Sequence, residues 1–286
     1  MMKKLLFLFD TDDVPSVFDT VVGYDGGADN VTGYGGVTPD TVGALVDGCI
    51  FTRGGKDKQN TAIFVGGGNM AKGEALFEKV KKHFFGPFRV SCMLDSNGSN
   101  TTAAAGVALL AKAKPLKGKK AVVLAGTGPV GMRAAGFFGM EGADVTITSR
   151  TKERAEDAAK VIEQRFGIKV KGAAGATDEE RAAACKDANV IFSAGAIGVQ
   201  LLPKAAWLDN PNVEMVADVN AQPPMGIEGI EATDKGKDYN GKLAFGALGI
   251  GGLKLKLHRA CIGKMFESSE ATFDAEEIYK LAKEMA

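Results

Sequence analysis

A glycine-rich turn in the middle of the chain constrains the fold more than any other segment. Gly126, Gly128 and Gly131 fit the pattern G-x-G-x-x-G between an apolar run at 120–125 and a segment of helical composition at 130–140. In this pattern the first glycine permits a tight turn, the second close approach of a ligand, and the third close packing of helix on strand. The segment therefore predicts a β-α-β unit with a phosphate-binding helix N-terminus.

Apolar runs alternate with helical segments along most of the chain. Runs at 4–9, 61–65 and 90–94 form one series, and a second series begins at residue 120. This alternation is typical of parallel sheets covered by helices on both faces. We therefore expect an α/β protein with two α/β domains, one of them Rossmann-type, and an active-site cleft between them. The Gly- and Asp-rich residues 24–36 are interpreted as a loop.

Composition excludes several functional classes. The 286 residues carry 35 basic and 35 acidic side chains, so there is no basic excess of the kind that general nucleic-acid binders need. The four cysteines are widely spaced and only two histidines occur, which argues against a C-x-x-C redox pair or a His-rich metal site. No apolar run is long enough for a signal peptide or a membrane span, so a cytoplasmic protein is expected.

The end of the second strand in the glycine-containing unit indicates which dinucleotide binds. An NAD site usually has an acidic residue about 20 positions after the glycines, whereas here Ser149 and Arg150 stand there, with Lys152 and Arg154 nearby. A guanidinium can donate two hydrogen bonds to a phosphate, so NADP is the expected cofactor. A later turn after a strand, at 193–198, is expected to pass the nicotinamide. The candidate cofactor-binding residues are Gly126, Thr127, Gly128, Pro129, Val130, Gly131, Ser149, Arg150, Lys152, Ala194, Gly195 and Ala196.

A second glycine-rich turn competes for the same role. Residues 66–71 fit G-x-G-x-x-A after an apolar run, and Asp95 ends the following run. Asp95 lies farther from the glycines than a ribose-binding acid usually does. We therefore favour 126–131 for the dinucleotide and interpret 66–71 as a turn that lines the cleft.

Four longer segments carry a family resemblance. They are 9–12 (FDTD), 22–29 (VGYDGGAD), 91–100 (SCMLDSNGSN) and 249–259 (GIGGLKLKLHR). With them the chain resembles, essentially from end to end, the NADP-dependent methylene-tetrahydromethanopterin dehydrogenases of methylotrophic bacteria, some of which also accept methylene-tetrahydrofolate. The resemblance implies a pterin-binding domain at 1–100 completed by the C-terminal helix at 265–286, and an NADP-binding domain at 101–264. It also implies a homo-oligomer, typically a trimer.

The chemistry implied by this resemblance suits the residues present. Loss of hydride from the methylene carbon leaves a cation shared by two nitrogens, and no proton has to leave. Such a step needs orientation and exclusion of water more than a strong base. A chain with two histidines is consistent with that requirement.

Candidate residues for the pterin come from strand ends and glycine-rich segments. Asp95 and Lys256 are the candidate catalytic residues, although Asp95 also suits an Asx turn and Lys256 a packed helix. Lys256 shares a stripe with small residues if 249–264 is helical, and this choice weakens if that segment is a strand. The candidate substrate-binding residues are Tyr24, Asp25, Asn97 and Asn100.

Two other functions remain compatible with the residues themselves. A shikimate-type NADP-dependent dehydrogenase also pairs an NADP domain with a Lys/Asp site. A protein that senses NADP without catalysis would need only the dinucleotide site.

Overall fold

The computed structural model describes residues 2–286, which form twelve strands and ten α-helices. The first part of the chain contains β1 (Leu5–Asp10), α1 (Val17–Asp25), β2 (Asn30–Tyr34), α2 (Val42–Phe51), β3 (Thr61–Gly66), α3 (Met70–His83), β4 (Ser91–Leu94) and α4 (Ser99–Ala113). The middle contains β5 (Lys120–Leu124), α5 (Pro129–Met140), β6 (Asp144–Ser149), α6 (Lys152–Phe166), β7 (Val170–Ala174), α7 (Asp178–Cys185), β8 (Val190–Ser193), α8 (Lys204–Leu208) and β9 (Met215–Asp218). The last part contains β10 (Lys235–Tyr239), β11 (Lys242–Phe245), α9 (Ala247–Met265), β12 (Thr272–Phe273) and α10 (Ala275–Met285).

These elements divide into two compact units. The first unit contains residues 1–101 and 255–281, and the second contains 102–254 and 282–286. The chain therefore passes from one unit to the other inside α4, α9 and α10. The sequence analysis ended the NADP-binding domain at residue 264. In the structure α9 is one unbroken helix, and its second half, from residue 255, belongs to the first unit. The cleft expected between the two domains stays a prediction.

The first unit is built on a five-stranded parallel sheet in the order β12-β4-β3-β1-β2. Its central strand β3 is buried at every position because helices cover both faces. One of its faces packs against α2 and α3 through buried side chains such as Val46, Leu76 and Phe77. The carboxyl ends of all five strands therefore point to one edge, where the loops after β1, β3 and β4 lie.

The second unit is a Rossmann-type domain. Its seven strands have the order β10-β11-β9-β8-β5-β6-β7, and only the pairing of β10 with β11 is antiparallel. Taken from the other edge and without β10, the order is β7-β6-β5-β8-β9-β11, which corresponds to the 3-2-1-4-5-6 order of doubly wound folds. The strand order reverses between β5 and β8, and such folds bind dinucleotides at this point. The fold class predicted from the sequence, two α/β domains with parallel sheets of which one is Rossmann-type, is confirmed.

Three local features differ from what the sequence patterns indicate. The interval 24–36 contains the edge strand β2, which has no apolar run and forms through its pairing with β1. Asn100 is a residue type that favours the N-cap position and precedes an Ala-rich segment, so it would be expected to cap the next helix. It does not cap α4, because the helix already includes Ser99 and the side chain that accepts from its first turn is that of Asp95. The hairpin of β10 and β11 was missed because its first strand is polar and exposed.

Within residues 2–286, no helix is both long enough and apolar enough to cross a bilayer.

Candidate functional site

The three glycines after β5 occupy three different environments. A Cβ on Gly126 would lie 2.7 Å from the Cβ of Ile147, and one on Gly131 would lie 2.7 Å from the Cα of Gly126. A Cβ on Gly128 would meet nothing closer than the Ala125 carbonyl oxygen, at 4.0 Å. The first and third glycines are therefore required by packing, whereas the second borders open space that a bound group could fill.

The start of α5 presents an anion-binding surface beside this open space. Gly128 is the N-cap and Pro129 occupies the first turn, which contains no acidic side chain. Pro129 lacks an N–H, so the free donors of this turn begin with Val130 and Gly131. The positive end of the helix dipole reinforces these donors, and the arrangement suits a diphosphate.

The end of β6 holds the glycine-rich loop in place. The Thr148 hydroxyl accepts a hydrogen bond from the Ala125 N–H at 3.1 Å, and the Thr148 carbonyl accepts one from the Gly126 N–H at 2.9 Å. Ala125 adopts a positive φ of 52°, which these bonds help to maintain. The hydroxyl groups of Thr127 and Ser149 lie 3.4 Å apart, so the loop after β5 and the end of β6 meet at this point.

A pocket of about 390 Å³ opens where these segments meet. Of the predicted cofactor-binding residues it contains Thr127, Ser149, Arg150, Gly195 and Ala196. The remaining members of its lining are Ala125, Thr148, Arg154, Gly175, Ala176, Arg181, Val199 and Leu201. Gly175, Ala176, Val199 and Leu201 come from the loops after β7 and β8, and Arg181 comes from α7. These segments carry no local motif, which is why sequence patterns did not single them out.

Basic side chains near the pocket separate into two groups. Arg150 and Arg154 are exposed, line the pocket, and have no ion-pair partner among residues 2–286. Lys152 lies outside the pocket lining, and its ammonium group is 3.4 Å from the carboxylate of Glu156. Arg154, four residues after Arg150, therefore lines the pocket, whereas the predicted Lys152 does not.

The loop after β8 completes the same edge of the sheet. The Ala194 N–H donates to the carbonyl of Leu124 in β5 at 3.0 Å, so this loop starts directly beside the glycine-rich turn. Gly195 and Ala196 then border the pocket, and the side chain of Leu201 leaves no room for a Cβ on Gly195.

The competing turn at 66–71 is arranged differently. The Gly68 N–H already donates to the carboxylate of Asp12 at 2.8 Å. A Cβ on Gly67 would also lie 2.0 Å from the Thr11 hydroxyl oxygen. An internal carboxylate thus holds the donor that a phosphate would need, which favours the turn at 126–131 as the dinucleotide site. Asn69 caps α3, since its side chain accepts from the Lys72 N–H.

In the first unit, Asp95 is fully buried at the start of α4. Its carboxylate accepts from the N–H groups of Asn100 and Thr101 at 2.9 and 3.1 Å, and from the Thr101 hydroxyl at 2.6 Å. His258 is also fully buried, with Nδ1 3.8 Å from a carboxylate oxygen of Asp95 and its ring 5.4 Å from that of Phe64. Asp95 therefore organises the helix start and lies beneath the surface of the unit.

The two asparagines of the same segment differ in exposure. Asn97 is exposed and left-handed, with φ 55° and ψ 23°, a conformation that asparagine tolerates better than most residues. Asn100 is buried and its side-chain amide donates to the Leu94 carbonyl at 2.7 Å. Of this pair only Asn97 faces solvent at the carboxyl end of β4.

The remaining candidates lie on two helices, Lys256 on α9 and Tyr24 and Asp25 at the end of α1. The predicted helix at 249–264 is confirmed, and Lys256 is exposed on it one turn after the exposed Gly252. Arg259, three residues later, donates to the carboxylate of Asp25 at 2.7 Å. Tyr24 is 48% exposed next to this ion pair. The Arg259–Asp25 ion pair thus joins α9 to the end of α1, the helix that carries Tyr24 and Asp25.

The cysteines are poorly placed for thiolate chemistry. All four thiols are buried, and burial raises the pKa of Cys49, Cys92 and Cys185 to about 12, which makes the thiolate rare at neutral pH. No group of three His, Cys, Asp or Glu side chains in the described residues is placed to hold a metal ion.

Solved structures with similar folds share little sequence identity with this chain. A shikimate 5-dehydrogenase from Listeria monocytogenes, solved with shikimate and NAD, matches 98% of this chain and 96% of its own with a TM-score of 0.55 at 13% identity. A 5-ketofructose reductase of Gluconobacter matches 100% and 99% with a TM-score of 0.52 at 15% identity. At these identities the likeness establishes the fold alone.

Proteins related in sequence carry more information about this chain than the structures that share only its fold. The family described as methylene-tetrahydromethanopterin dehydrogenase, N-terminal, matches residues 17–97. The bifunctional protein MdtA of Methylorubrum extorquens AM1 is 70% identical over 288 residues and covers 100% of both chains. The NAD(P)-dependent methylenetetrahydromethanopterin dehydrogenase of the same organism is 34% identical over 296 residues, again over 100% of both chains. Because these similarities extend over the whole length, the chain belongs to the methylene-tetrahydromethanopterin dehydrogenase family.

Proposed function

We propose that the protein is an oxidoreductase that transfers a hydride reversibly between the methylene carbon of methylene-tetrahydromethanopterin and NADP, giving the methenyl pterin. The full-length relationship to a named methylenetetrahydromethanopterin dehydrogenase carries this proposal. It places the protein in one-carbon metabolism. Methylene-tetrahydrofolate is proposed as a second substrate because it carries the same methylene bridge between two nitrogens.

NADP fits the pocket of the second unit. The open space beside Gly128 and the donors at the start of α5 suit the diphosphate. Arg150 and Arg154 supply two guanidinium groups for the 2′-phosphate, and Ser149 adds a hydroxyl at the same strand end. We place Ala194, Gly195 and Ala196 beside the nicotinamide, which accepts the hydride when the cofactor is bound.

The pterin is assigned to the first unit, at the carboxyl edge of its sheet and on the exposed side of α9. Lys256 is the candidate for direct contact because it is exposed beside small residues. Asn97, Tyr24 and Asp25 are candidates for orienting the pterin. Since Asp95 and Asn100 are buried, we propose that they act by positioning the start of α4.

The reaction requires little acid–base chemistry from these residues. As the hydride leaves the methylene carbon, the two adjacent nitrogens share the positive charge, and no proton is removed. Orientation of the pterin and exclusion of water are therefore the main tasks of the side chains around it.

The family relationship favours this function over the two alternatives. A shikimate-type dehydrogenase shares the fold, but the sequence identity to such enzymes is 13–15%. An NADP sensor without catalysis would bind the cofactor and leave every substrate unchanged.

The proposal is tested with substrate deuterated at the methylene carbon. Purified protein is mixed with NADP⁺ and methylene-tetrahydromethanopterin, methylene-tetrahydrofolate or shikimate, and NADPH absorbance is followed. We expect NADPH with the pterin substrates and deuterium in NADPH. Deuterium in water would contradict direct hydride transfer, and activity with shikimate alone would favour the first alternative. If NADP⁺ binds but no NADPH forms with any of the three substrates, the result would favour the NADP sensor.

We also propose that the protein acts in the cytoplasm as a homo-oligomer, with a trimer as the expected state. Light scattering of the purified protein gives the mass directly. A mass of one chain at micromolar concentration would contradict the proposed assembly.

A further inference from the structure

Arg181 makes an unusual set of contacts at the edge of the dinucleotide pocket. It lies in the first turn of α7 and is only 9% exposed. Its Nη1 donates to the carbonyls of Gly175 and Ala176 at 2.8 and 2.9 Å, its Nε donates to the carbonyl of Leu201, and its Nη2 donates to Asp178. The guanidinium is thus committed to backbone and to one neighbouring carboxylate.

The three carbonyls belong to two separate loops. Gly175 and Ala176 follow β7, whereas Leu201 belongs to the loop after β8. In the sheet, β5 and β6 lie between β7 and β8, so the ends of these two strands are roughly 14 Å apart at about 4.8 Å per strand. Arg181 therefore connects two loops across the strand ends that carry the glycine-rich turn and Arg150.

Both connected loops form walls of the pocket. Gly175, Ala176 and Leu201 line it together with Arg150 and Thr127. Gly175 is packed too closely to accommodate a side chain, since a Cβ there would lie 2.9 Å from the Cβ of Thr148 and 3.3 Å from the Cγ of Arg181. A change in the length or direction of the Arg181 contacts would consequently change the width of the pocket.

The loop after β8 depends on a second set of bonds on its other side. The N–H groups of Leu201 and Leu202 both donate to the carbonyl of Gly226, at 2.8 and 3.0 Å. Arg181 is the contact that holds the same loop from the pocket side. Only arginine offers a planar fork that reaches three carbonyls at once, because the donors of lysine radiate from a single nitrogen.

We propose that Arg181 is a positioning residue for cofactor binding. By joining the two loops, it sets the distance between the two pocket walls around the adenosine half of NADP. This inference rests on the proposed function, since it assumes that the pocket binds that half of the cofactor. Arg181 itself acts through the loops that it joins.

The test compares Arg181→Met with a matched variant, Lys242→Met. Lys242 is another buried cation of the second unit, 8% exposed, and its ammonium donates to the carbonyls of Asn210 and Val213 at 2.6 and 2.9 Å. Neither carbonyl borders the pocket. Both substitutions remove a buried cation from backbone carbonyls, so both should lower Tm, but only Arg181→Met changes a pocket wall.

The probes are NADP⁺ and 2′,5′-ADP, whose binding is measured by calorimetry below the Tm of each variant. For Arg181→Met we expect Kd for both probes to rise roughly tenfold, since bonds from a charged donor are at the strong end of the scale. KM for NADP⁺ should rise by a similar factor while kcat at saturating NADP⁺ stays near that of the wild type. For Lys242→Met we expect unchanged Kd values.

Wild-type affinity in Arg181→Met, or an equal loss in Lys242→Met, would overturn the inference. Arg181→Lys keeps the charge and carries the test if the methionine variant does not fold. Full affinity in Arg181→Lys would show that charge suffices and would likewise overturn it. If wild-type protein itself bound neither probe, the proposed function would fail, and that outcome is distinct from a difference between variants.

Discussion

At the scale of single residues, the basic side chains after β6 are not equivalent. Arg150 and Arg154 line the pocket, whereas Lys152 is turned toward Glu156 in an exposed ion pair. The preference for NADP should therefore depend mainly on the two arginines.

Replacement of Arg150 tests this preference. Because a hydrogen bond to a charged group contributes about 1.5–3 kcal/mol, Arg150→Ala should weaken NADP⁺ binding by roughly 10- to 150-fold. NAD⁺ has no 2′-phosphate, so its affinity should change little. Calorimetric titration with both cofactors measures the ratio.

Lys152→Ala is the matched control for this substitution. It removes a basic side chain from the same helix start but not from the pocket lining, so it should change NADP⁺ affinity by much less than Arg150→Ala. Equal losses for NADP⁺ and NAD⁺ in Arg150→Ala would mean that Arg150 supports the loop and does not select the phosphate.

At the scale of elements, the turn between β5 and α5 separates packing from ligand binding. Gly131 touches Gly126 across the turn, and Gly128 borders open space. The two glycines should therefore respond to alanine in opposite ways.

Gly128→Ala should leave Tm near that of the wild type, because its φ of −81° and ψ of 168° suit alanine and no atom is close. The added methyl group would overlap the diphosphate, and overpacking of about 1–3 kcal/mol corresponds to a roughly 5- to 150-fold higher Kd for NADP⁺. In Gly131→Ala the same overpacking outweighs a helix-propensity gain of about 1 kcal/mol at most, so Tm should fall. Thermal melts and titrations of both variants measure these effects, and unchanged NADP⁺ affinity in Gly128→Ala would contradict the assigned site.

A charged cluster at the opposite ends of the strands gives a pH-dependent prediction. Lys119, before β5, donates to Glu214, before β9, and Lys114 lies 3.5 Å from the same carboxylate. The hydrogen bond from Lys119 lowers the pKa of Glu214 from its ordinary value of 4.5. A depressed carboxyl pKa stabilises the fold above the unfolded-state value, and this stabilisation is lost as pH falls through the folded-state value.

Glu214→Gln should therefore reduce the free energy of unfolding at pH 7. It should have little effect at pH values below the folded-state pKa of Glu214, where the carboxyl group is protonated. The loss should be about 1 kcal/mol or less, because the pair is partly exposed. Urea unfolding at a series of pH values measures it. In a Lys119→Met background most of the pH-dependent difference should disappear, and its persistence there would assign the effect to another group.

At the scale of the whole molecule, the two units each contain a glycine-rich turn after a central strand, and only one is proposed to bind the dinucleotide. Hydrogen exchange distinguishes them. At 100 times Kd, NADP⁺ should stabilise the folded state by about 2.7 kcal/mol. Added protection should concentrate at 125–131, 148–154 and 194–201, and removal of NADP⁺ by dialysis should reverse it. Protection centred on 66–71 would instead move the cofactor to the first unit.

Local sequence by itself determined the α/β class, most strand and helix positions, the cap at Asn69 and the glycine-rich turn before α5. These features depend on apolar periodicity, capping side chains and backbone freedom, which act within a few residues. Tertiary structure alone decided that β2 is a strand, since an edge strand without an apolar run is stabilised by its partner.

Tertiary structure also decided which side chains meet at the candidate sites. Arg181 and Leu201 join Arg150 in one pocket because the sheet order places the loops after β6, β7 and β8 at the same edge. Asp95 ends a strand in a way that resembles an exposed ligand-binding acid, but the packing of α4 and His258 buries it. Burial and the approach of distant loops depend on how strands order in the sheet, and no local pattern encodes that order.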